Sequence, residues 1–427
     1  MHYIKEGRAT ADYILHSDLN CFYAAAEIND RPSLKGKCVA VCGSTENRHG
    51  IVLAKSYEAK KYGVKTGQAN WQAKQACPQL IMIEPHYEKY LYYSRLVRSI
   101  YERYSEYIEP FGMDENWILL PNLDGVERAR RIADEIRNTV RSETGLTVSI
   151  GVSFSKIFAK LGSDMKKPDA VTVISRENYK SLVWPLPVGE LLYAGPRTTR
   201  KLGDMGIYTI GQLAACPESA IREKFGKNGE MLRLFARGED GASVARLGYL
   251  SPIKSVGHGA TCARDIQTPQ EVWHVLYELC QDVNHRLIRH GFLAGGVSLY
   301  IRYSDLEGFL FQSPLSRPTR CALEIASGAF GLYLQNREKG RPIRALSVSA
   351  IRLAGENRPE QTDLFGEAER SLRLRALGDA VDALRNRFGE RSLVAASLLS
   401  RAPIATDRCE TVPMPRALTG AQKRRMK

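Results

Sequence analysis

The stretch Tyr13-Ile14-Leu15-His16-Ser17-Asp18-Leu19-Asn20-Cys21-Phe22-Tyr23 contains a strand-like apolar run that ends on a carboxylate and leads directly into a predicted helix. A second acidic site, Asp114-Glu115, interrupts another apolar segment that extends from Ile108 to Leu120. Acids at strand ends are costly to hold together unless a cation lies between them. The two sites therefore indicate a metal centre in which hard oxygen ligands converge.

Each acidic site also has a purely structural interpretation. Taken singly, Asp18 and Asp114 are equally consistent with turn or N-cap residues. A two-metal centre requires carboxylates that bridge the ions from separate strands of one sheet. The neighbouring residues favour that second interpretation, because the Asp114-Glu115 pair lies between an apolar strand and Trp117-Ile118-Leu119-Leu120.

Composition restricts the class of protein. The 427 residues, 44% hydrophobic and 25% charged, are typical of a globular protein with about two to four domains. A net charge of +14 favours nucleic acid or an anionic membrane surface as partner over the substrates of an acidic-metabolite enzyme. Nine cysteines without a Cys-x-x-Cys pair predict reduced thiols. No signal peptide or membrane span is evident, so we expect a cytoplasmic protein that contacts no membrane.

Strands and helices alternate in the first part of the chain, which predicts an α+β layered core. We expect a hairpin over 108–120, strands at 13–17, 39–41, 51–54 and 146–154, and helices at 21–28, 57–62, 87–107, 126–141 and 155–166. Prolines at 185 and 187 mark a boundary, after which short helices continue to residue 240.

A second boundary near Gly248 to Pro252 begins an Arg-rich unit. Its pattern predicts strands at 254–260, 296–303, 308–312 and 343–353, and helices at 269–290 and 321–334. A late helix is expected at 372–387, and the basic end of the chain is expected to be disordered.

The motifs around the acids resemble those of Y-family, DinB-type DNA polymerases. The stretch from His16 to Glu27 is similar to the first catalytic motif of that family, and Met113-Asp114-Glu115 is similar to the second. Further matches follow in the family's order, at 54–65, 149–153 and 158–168. The resemblance covers about residues 10 to 355, and several ordered motifs over that span are highly specific.

This resemblance implies a right-hand fold. It places the palm at 1–27 and 86–187, the fingers at 28–85, the thumb at 188–250, the little finger at 252–355 and a tail at 356–427. The segment from Leu191 to Leu202 resembles the helix-hairpin-helix of the thumb, although Pro196 removes one backbone donor from its turn. The little finger would hold DNA through phosphate contacts with a four-stranded sheet.

The resemblance also implies roles for individual residues. Asp18, Asp114 and Glu115 would hold two Mg²⁺ ions, with the backbone carbonyl of Leu19 as a further ligand. Three residues would contact the triphosphate of the incoming dNTP, namely Tyr57, Lys60 and Lys167. Tyr23 would block a ribose 2′-hydroxyl. The alternatives are solvated helix charges for the two lysines, packing for Tyr57, and core packing beside Phe22 for Tyr23.

Three departures from the family pattern bear on the geometry. The second acidic site, Asp114-Glu115, is preceded by Gly112-Met113 and followed by Asn116-Trp117. The family usually has Ser-Ile or Ser-Leu before these acids and Ala-Tyr or Ala-Phe after them. Lys60 stands where Arg is common, so a forked phosphate contact becomes a point contact. Leu53 and Lys55 lie on a fingers strand that often carries smaller residues.

The pentapeptide Gln361-Thr362-Asp363-Leu364-Phe365 resembles the bacterial sliding-clamp-binding motif. Gln361 would bind at a pocket rim, and Leu364 and Phe365 would enter a hydrophobic cleft. The alternative is that Leu364 and Phe365 fold back onto the body of the protein.

The sequence thus predicts a translesion DNA polymerase that is monomeric, distributive, error-prone on undamaged DNA and without proofreading. Its partners would be primer-template DNA, dNTP and the sliding clamp. The rival is a non-catalytic, polymerase-like adaptor that joins DNA or another polymerase to the clamp. Intact Asp18, Asp114 and Glu115 argue against it, because an adaptor needs none of them. A palm-fold nucleotidyl cyclase is a third reading, disfavoured by the thumb and little-finger segments.

Overall fold

The computed structural model describes residues 11–45, 48, 50–356, 366–389 and 392–396. Within these, 11–43 and 51–250 belong to one compact unit, and 44–50 and the residues after 250 belong to a second. Of the helices in these ranges, none is both long enough and apolar enough to cross a membrane.

The described part of the first unit contains two sheets and a series of helices. Its strands are β1 (Ala11–Leu19), β2 (Val39–Cys42), β3 (Val52–Lys55), β4 (Ile81–Ile83), β5 (Ile108–Pro110), β6 (Glu115–Leu123), β7 (Val148–Ser153) and β8 (Val171–Ile174). Its α-helices are α1 (Phe22–Asp30), α2 (Tyr57–Lys61), α3 (Asn70–Ala76), α4 (Tyr87–Tyr101), α5 (Val126–Thr144), α6 (Lys156–Met165), α7 (Tyr179–Val183), α8 (Pro196–Gly203), α9 (Ile210–Ala215) and α10 (Glu218–Ala236). Short 3₁₀ helices span Pro32–Leu34 and Val188–Glu190.

The larger sheet has the strand order β5-β6-β1-β7-β8, with β1 antiparallel to both of its neighbours. Because side chains alternate along a strand, Leu15 and Ile14 point to opposite faces. Leu15 is buried in the core that α4 and α5 complete, whereas Ile14 packs with Ala159 of α6. The sheet is therefore covered by helices on both faces.

Glycine allows α6 to approach β7 closely. A Cβ on Gly151 of β7 would lie 1.9 Å from the carbonyl oxygen of Ala159, and one on Gly162 would lie 3.2 Å from Gly151 Cα. A larger residue at either position would push α6 away from the sheet. This contact holds the charged residues of α6 against the end of β1.

The smaller sheet has the order β3-β2-β4 and a core of its own. Helix α2 begins directly after β3, where the Ser56 hydroxyl accepts a hydrogen bond from Ala59 N at 3.2 Å as the predicted N-cap. Helices α7 to α10 form a further hydrophobic cluster. Within it, Pro196 is the first residue of α8, where a missing N–H interrupts no helical hydrogen bond.

The described part of the second unit has one antiparallel sheet with the strand order β11-β10-β12-β9, and its four strands match the number that the sequence predicts. Its described elements are β9 (Val256–Ile266), α11 (Pro269–His290), β10 (Phe292–Tyr303), β11 (Gly308–Thr319), α12 (Ala322–Asn336), β12 (Ile343–Gly355) and α13 (Glu367–Phe388). Residues of α11 and α12 pack with the sheet in one hydrophobic core. The bounds of α11 match the sequence prediction of 269–290.

Several predicted boundaries were wrong, and two of them have a clear physical reason. The helix expected to reach residue 107 ends at Tyr101, because the Ser105 hydroxyl accepts a hydrogen bond from Tyr107 N at 3.0 Å and binds Leu119 O. The strand expected to stop at residue 312 continues to Thr319 through Pro314 and Pro318. An edge strand tolerates proline because one side of its backbone needs no partner, and β11 is such a strand.

Charged side chains bind helix α13 to the rest of the second unit. The Arg320 guanidinium donates to both carboxylate oxygens of Asp379, at 2.9 and 2.6 Å, and also pairs with Glu356. His285 of α11 lies 2.7 Å from Asp382, measured from Nδ1 to Oδ1. The predicted clamp-binding residues Gln361, Leu364 and Phe365 lie outside the described residues.

Candidate active site

Strand register brings the predicted carboxylates to one end of the larger sheet. Asp18 lies opposite Glu115 on β6, and Leu19 N donates to Asp114 O at 3.0 Å. Asp18 is 6% exposed, and the other two acids are partly buried. Nevertheless, in the part of the chain that the structure describes, no three His, Cys, Asp or Glu side chains form a ready-made metal site. The backbone assembles the acids, and the side chains of Asp18 and Glu115 pair with lysines.

Two lysines of the α6 region engage these carboxylates. Lys160 Nζ lies 3.0 Å from Glu115 Oε1 and 3.4 Å from Asp18 Oδ2. Lys167 Nζ lies 2.7 Å from Asp18 Oδ2. Asp164 pairs with both ammonium groups, at 3.0 and 2.9 Å. The lysines thus supply the positive charge that the acids require.

Asp114 shows how strongly the site favours a cation. Burial, together with the negative charges of Asp18 and Glu115, raises the pKa of its carboxyl to about 7. The pKa of Glu115 is lowered instead, because the nearby ammonium of Lys160 outweighs the opposing effect of burial. Among the described side chains, Glu115 Oε2 is buried without a hydrogen-bond partner. Crowded, partly unsatisfied carboxylate oxygens fit the ligand preference of Mg²⁺.

This raised pKa predicts that the metal-free protein loses folding stability as the pH rises. The folded carboxyl has a pKa of about 7 and the reference value is 3.8, so between these values the folded state binds more protons and stability falls as pH rises. Linkage gives a loss of about 2 to 3 kcal/mol from pH 5 to pH 8. Asp114→Asn should remove this pH-dependent loss. In EDTA, the variant should therefore have a higher urea midpoint than the wild type, and the difference should be larger at pH 8 than at pH 5. Parallel pH curves for the two proteins would refute the assignment.

His16 lies fully buried behind the acids. The Ser163 hydroxyl donates to Lys160 O at 2.7 Å, so we assign the proton to Nδ1 of His16, which lies 2.9 Å from Ser163 Oγ. Its Nε2 then lies toward Glu115 Oε2 at 3.4 Å. Burial lowers the pKa of the imidazole and favours this neutral form. In this tautomer Nε2 carries no proton, so it has none to donate to Glu115, and both facing atoms are left without a hydrogen-bond partner among the described residues.

The predicted triphosphate contacts gather around the thiol of Cys21. Tyr57 is close enough to this thiol to act on its pKa, and Lys60 Nζ lies 5.8 Å from the centre of the Tyr57 ring. Lys60 and Lys167 are both close enough to Cys21 to act on the pKa of its thiol. Lys55 acts on it as well, although the sequence marked Lys55 only as a departure. The structure therefore places the three predicted residues near one thiol, and Lys55 adds a third positive charge.

Tyr23 is partly buried beside the same site. Its ring stacks on Tyr90 with the centres 4.3 Å apart and 10° between the planes, and it meets Phe22 at 5.5 Å. Burial raises the pKa of the Tyr23 hydroxyl, as does the nearby charge of Asp114. The ring therefore packs in the core and also lies near the second acidic motif.

The departures around Asp114 have structural explanations. Gly112 has φ +118°, which favours glycine, and a Cβ there would lie 3.2 Å from Asp114 Oδ1. Met113 and Trp117 are buried. Trp117 Nε1 donates to Lys156 O at 3.1 Å, and its ring meets His16 edge-on at 5.4 Å. These residues pack under the acids and do not replace them.

Sequence reasoning assigned no role to Lys160, Asp164 or His16, although all three lie within the quoted motifs. A signal was present for two of them. Lys160 and Asp164 are four residues apart on one helix, so their side chains share a face. The sequence did not reveal that this face is turned toward the acids.

Comparison with known proteins identifies the family of this chain. Residues 17–164 match the impB/mucB/samB family model, and residues 253–364 match the model of that family's C-terminal domain. The DNA polymerase IV of Acetivibrio thermocellus is 42% identical over 90% of this chain and 97% of its own. That of Pelotomaculum thermopropionicum is 37% identical over 92% and 97%, and DNA polymerase IV 1 of Bacillus subtilis is 33% identical over 91% and 93%.

A solved structure shows the same fold. A Y-family DNA polymerase chimera of Dbh and Dpo4 superposes with a TM-score of 0.69 at 19% identity, covering 80% of this chain and 99% of its own. The fold is thus the α+β right hand of Y-family polymerases, with palm, thumb and little finger. Within that class, the chain belongs to the impB/mucB/samB family together with the DNA polymerase IV proteins.

Proposed function

We propose that this translesion DNA polymerase joins dNTPs to a primer 3′-hydroxyl at Asp18, Asp114 and Glu115 by a two-metal mechanism, distributively and without proofreading. The observation that carries the proposal is the register of β1 and β6, which sets Asp18 opposite Glu115 with Asp114 adjacent. The raised pKa of Asp114 supports it, because this carboxylate is best stabilised by a cation.

The residues divide the work as follows. Two Mg²⁺ ions, held by the three acids and the Leu19 carbonyl, would activate the hydroxyl and neutralise the triphosphate. Tyr57, Lys60 and Lys167 bind the phosphates of the dNTP. Lys160 keeps its pairing with Asp164 when Asp18 and Glu115 take other partners. Asp114 would hold a cation as the carboxylate, and Tyr23 would exclude a ribose 2′-oxygen.

We assign the domains at the boundaries that the resemblance implies. The larger sheet and its helices lie within 1–27 and 86–187, which supports the palm. The smaller sheet lies within 28–85, as expected for the fingers. Helices α8 to α10 support a thumb at 188–250, and the sheet of the second unit supports a little finger at 252–355. The remainder, 356–427, is the tail that carries the clamp motif.

Primer extension is the direct test of this function. The purified chain should add nucleotides in the presence of Mg²⁺ to an undamaged template, and to at least one template with an abasic site or an N²-adducted guanine. Short products that shorten further with excess unlabelled trap DNA would show distributive synthesis. Binding of primer-template DNA without any extension would favour the adaptor instead.

We further propose that the protein acts as a cytoplasmic monomer that is recruited by the sliding clamp. The net charge of +14 supports binding to the DNA backbone. The pentapeptide Gln361-Thr362-Asp363-Leu364-Phe365 supports recruitment, since its two apolar residues can fill a cleft.

Replacing Gln361, Leu364 and Phe365 together with Ala should remove stimulation by a loaded clamp and leave the distributive extension of the free enzyme unchanged. The reason is that a few buried side chains carry most of the binding energy of a short peptide. Extension with and without loaded clamp measures both quantities. Leu377→Ala is the control, because Leu377 is also an exposed apolar residue of the tail, 60% exposed on α13. Undiminished stimulation would sink the clamp assignment, and lost thermal stability would favour packing.

A further inference from the structure

The loop that carries Lys167 is held from behind by residues with no assigned role. It joins α6 to β8, and Asp169, two positions after Lys167, has φ +54°. This left-handed conformation is uncommon for residues other than glycine, and Asp and Asn tolerate it best. A loop with such a residue keeps its shape only when the surrounding structure determines it.

Asn20 supplies the first of these contacts. Its Oδ1 accepts a hydrogen bond from Asp169 N at 2.9 Å, and its Nδ2 donates to Ser149 Oγ at 2.9 Å. Asn20 is 3% exposed, so these bonds are shielded from water. It therefore ties the backbone of the loop to β7 from the end of β1, two residues after Asp18.

Arg137 of α5 supplies the second contact. Its Nη1 donates to Asp169 Oδ1 at 2.8 Å, and its side chain is 18% exposed. Arg141, one turn later, reaches Asp169 Oδ2 at 2.9 Å but is 55% exposed. The less exposed pair is less screened by solvent, so Arg137 is the stronger support.

We propose that Asn20 and Arg137 are positioning residues that hold Asp169 and thereby place the ammonium of Lys167 for the dNTP triphosphate. Neither touches the phosphates, so each acts through Lys167. A lysine is a flexible point charge, and its aim depends on where its backbone is fixed. That fixing leaves Lys167 Nζ 2.7 Å from Asp18, at the edge of the acidic site. The proposal rests on the proposed function of Lys167 as a triphosphate contact.

Single-turnover kinetics on the full chain test this role, with Kd for dNTP separated from the rate of incorporation. Lys167→Ala should weaken dNTP binding by about tenfold, and Arg137→Met by about fivefold. The double variant should be no weaker than Lys167→Ala alone, since the arginine has nothing left to position. Affinity for primer-template DNA should stay within about twofold, because α5 is not part of the proposed DNA grip.

Matched variants separate positioning from stability. Arg137→Lys should recover part of the dNTP affinity, and Asp169→Asn should lose it while keeping its backbone bond to Asn20. Asp169→Asn also serves if Arg137→Met fails to fold, because Asn tolerates the same φ. Arg130→Met is the control, since it removes only a surface ion pair with Glu127 on the same helix, at 3.7 Å.

The outcomes are distinguishable. Unchanged dNTP affinity in Arg137→Met and Asp169→Asn, with Lys167→Ala impaired, would overturn the positioning role alone. The positioning role would also be overturned if the double variant lost dNTP affinity by the product of the two single-variant losses. Arg137 would then act independently of Lys167. Unchanged dNTP affinity in Lys167→Ala would overturn the proposed role of Lys167 together with this inference.

Discussion

Asp114→Asn and Glu115→Ala are each expected to abolish Mg²⁺-dependent primer extension while primer-template affinity stays within about threefold, because phosphate contacts dominate binding. Both acids lie at the end of the sheet that also presents Asp18. Loss of either carboxylate removes negative charge that a divalent cation needs, and Glu115→Ala also removes a partner of Lys160. Extension assays and DNA-binding titrations measure the two quantities.

Urea denaturation of the same variants distinguishes misfolding from lost chemistry. Because Asp114→Asn is expected to stabilise the metal-free protein at pH 8, its inactivity would have a chemical cause. Glu143→Gln is a matched acid-to-amide control, since Glu143 forms an exposed ion pair with Arg103. Retention of more than a few per cent of wild-type extension by either active-site variant would falsify the metal assignment.

Tyr23→Ala is expected to raise ribonucleotide incorporation by at least about tenfold, or roughly 1.4 kcal/mol of lost discrimination, with less effect on dNTP use. The physical reason is rigidity: stacking on Tyr90 fixes the ring, so it cannot turn aside for an added 2′-oxygen. Single-turnover selectivity for rNTP over dNTP is the measurement.

The matched control for this change is Tyr23→Phe. It keeps the ring and removes only the hydroxyl, so discrimination should stay within about twofold of the wild type. Tyr23→Ala also removes core packing, and its thermal stability should fall. If stability falls while selectivity stays unchanged, the ring serves the core alone.

The sequence predicted the parts of this fold that local pattern determines. Apolar runs gave β1 and β6, and the Ser56 cap gave the start of α2. Motif resemblance selected Asp18, Asp114 and Glu115, and strand register then placed them at one sheet end. Their roles stay predictions until the variants are measured.

What the sequence left out depends on contacts between distant segments. Lys160 reaches the acids only because Gly151 lets α6 approach β7, and the pattern of either element alone does not show this. Arg137 lies on α5 and contacts Asp169 in the loop after α6, 32 positions away along the chain. Neither contact has a local signature, because the paired charges resemble ordinary surface residues on an amphipathic helix.

The pairing of Arg320 with both Glu356 and Asp379 limits the reach of the proposed clamp motif. The pentapeptide lies in the chain between these two anchored acids, and Asp363 is four positions before the start of α13 at Glu367 (367 − 363). That separation in sequence is short, about 14 Å even for a fully extended chain at about 3.5 Å per residue. If a clamp bound the motif as proposed, its attachment point would be a short segment of chain between two acids that Arg320 pairs with, and not a long free tail.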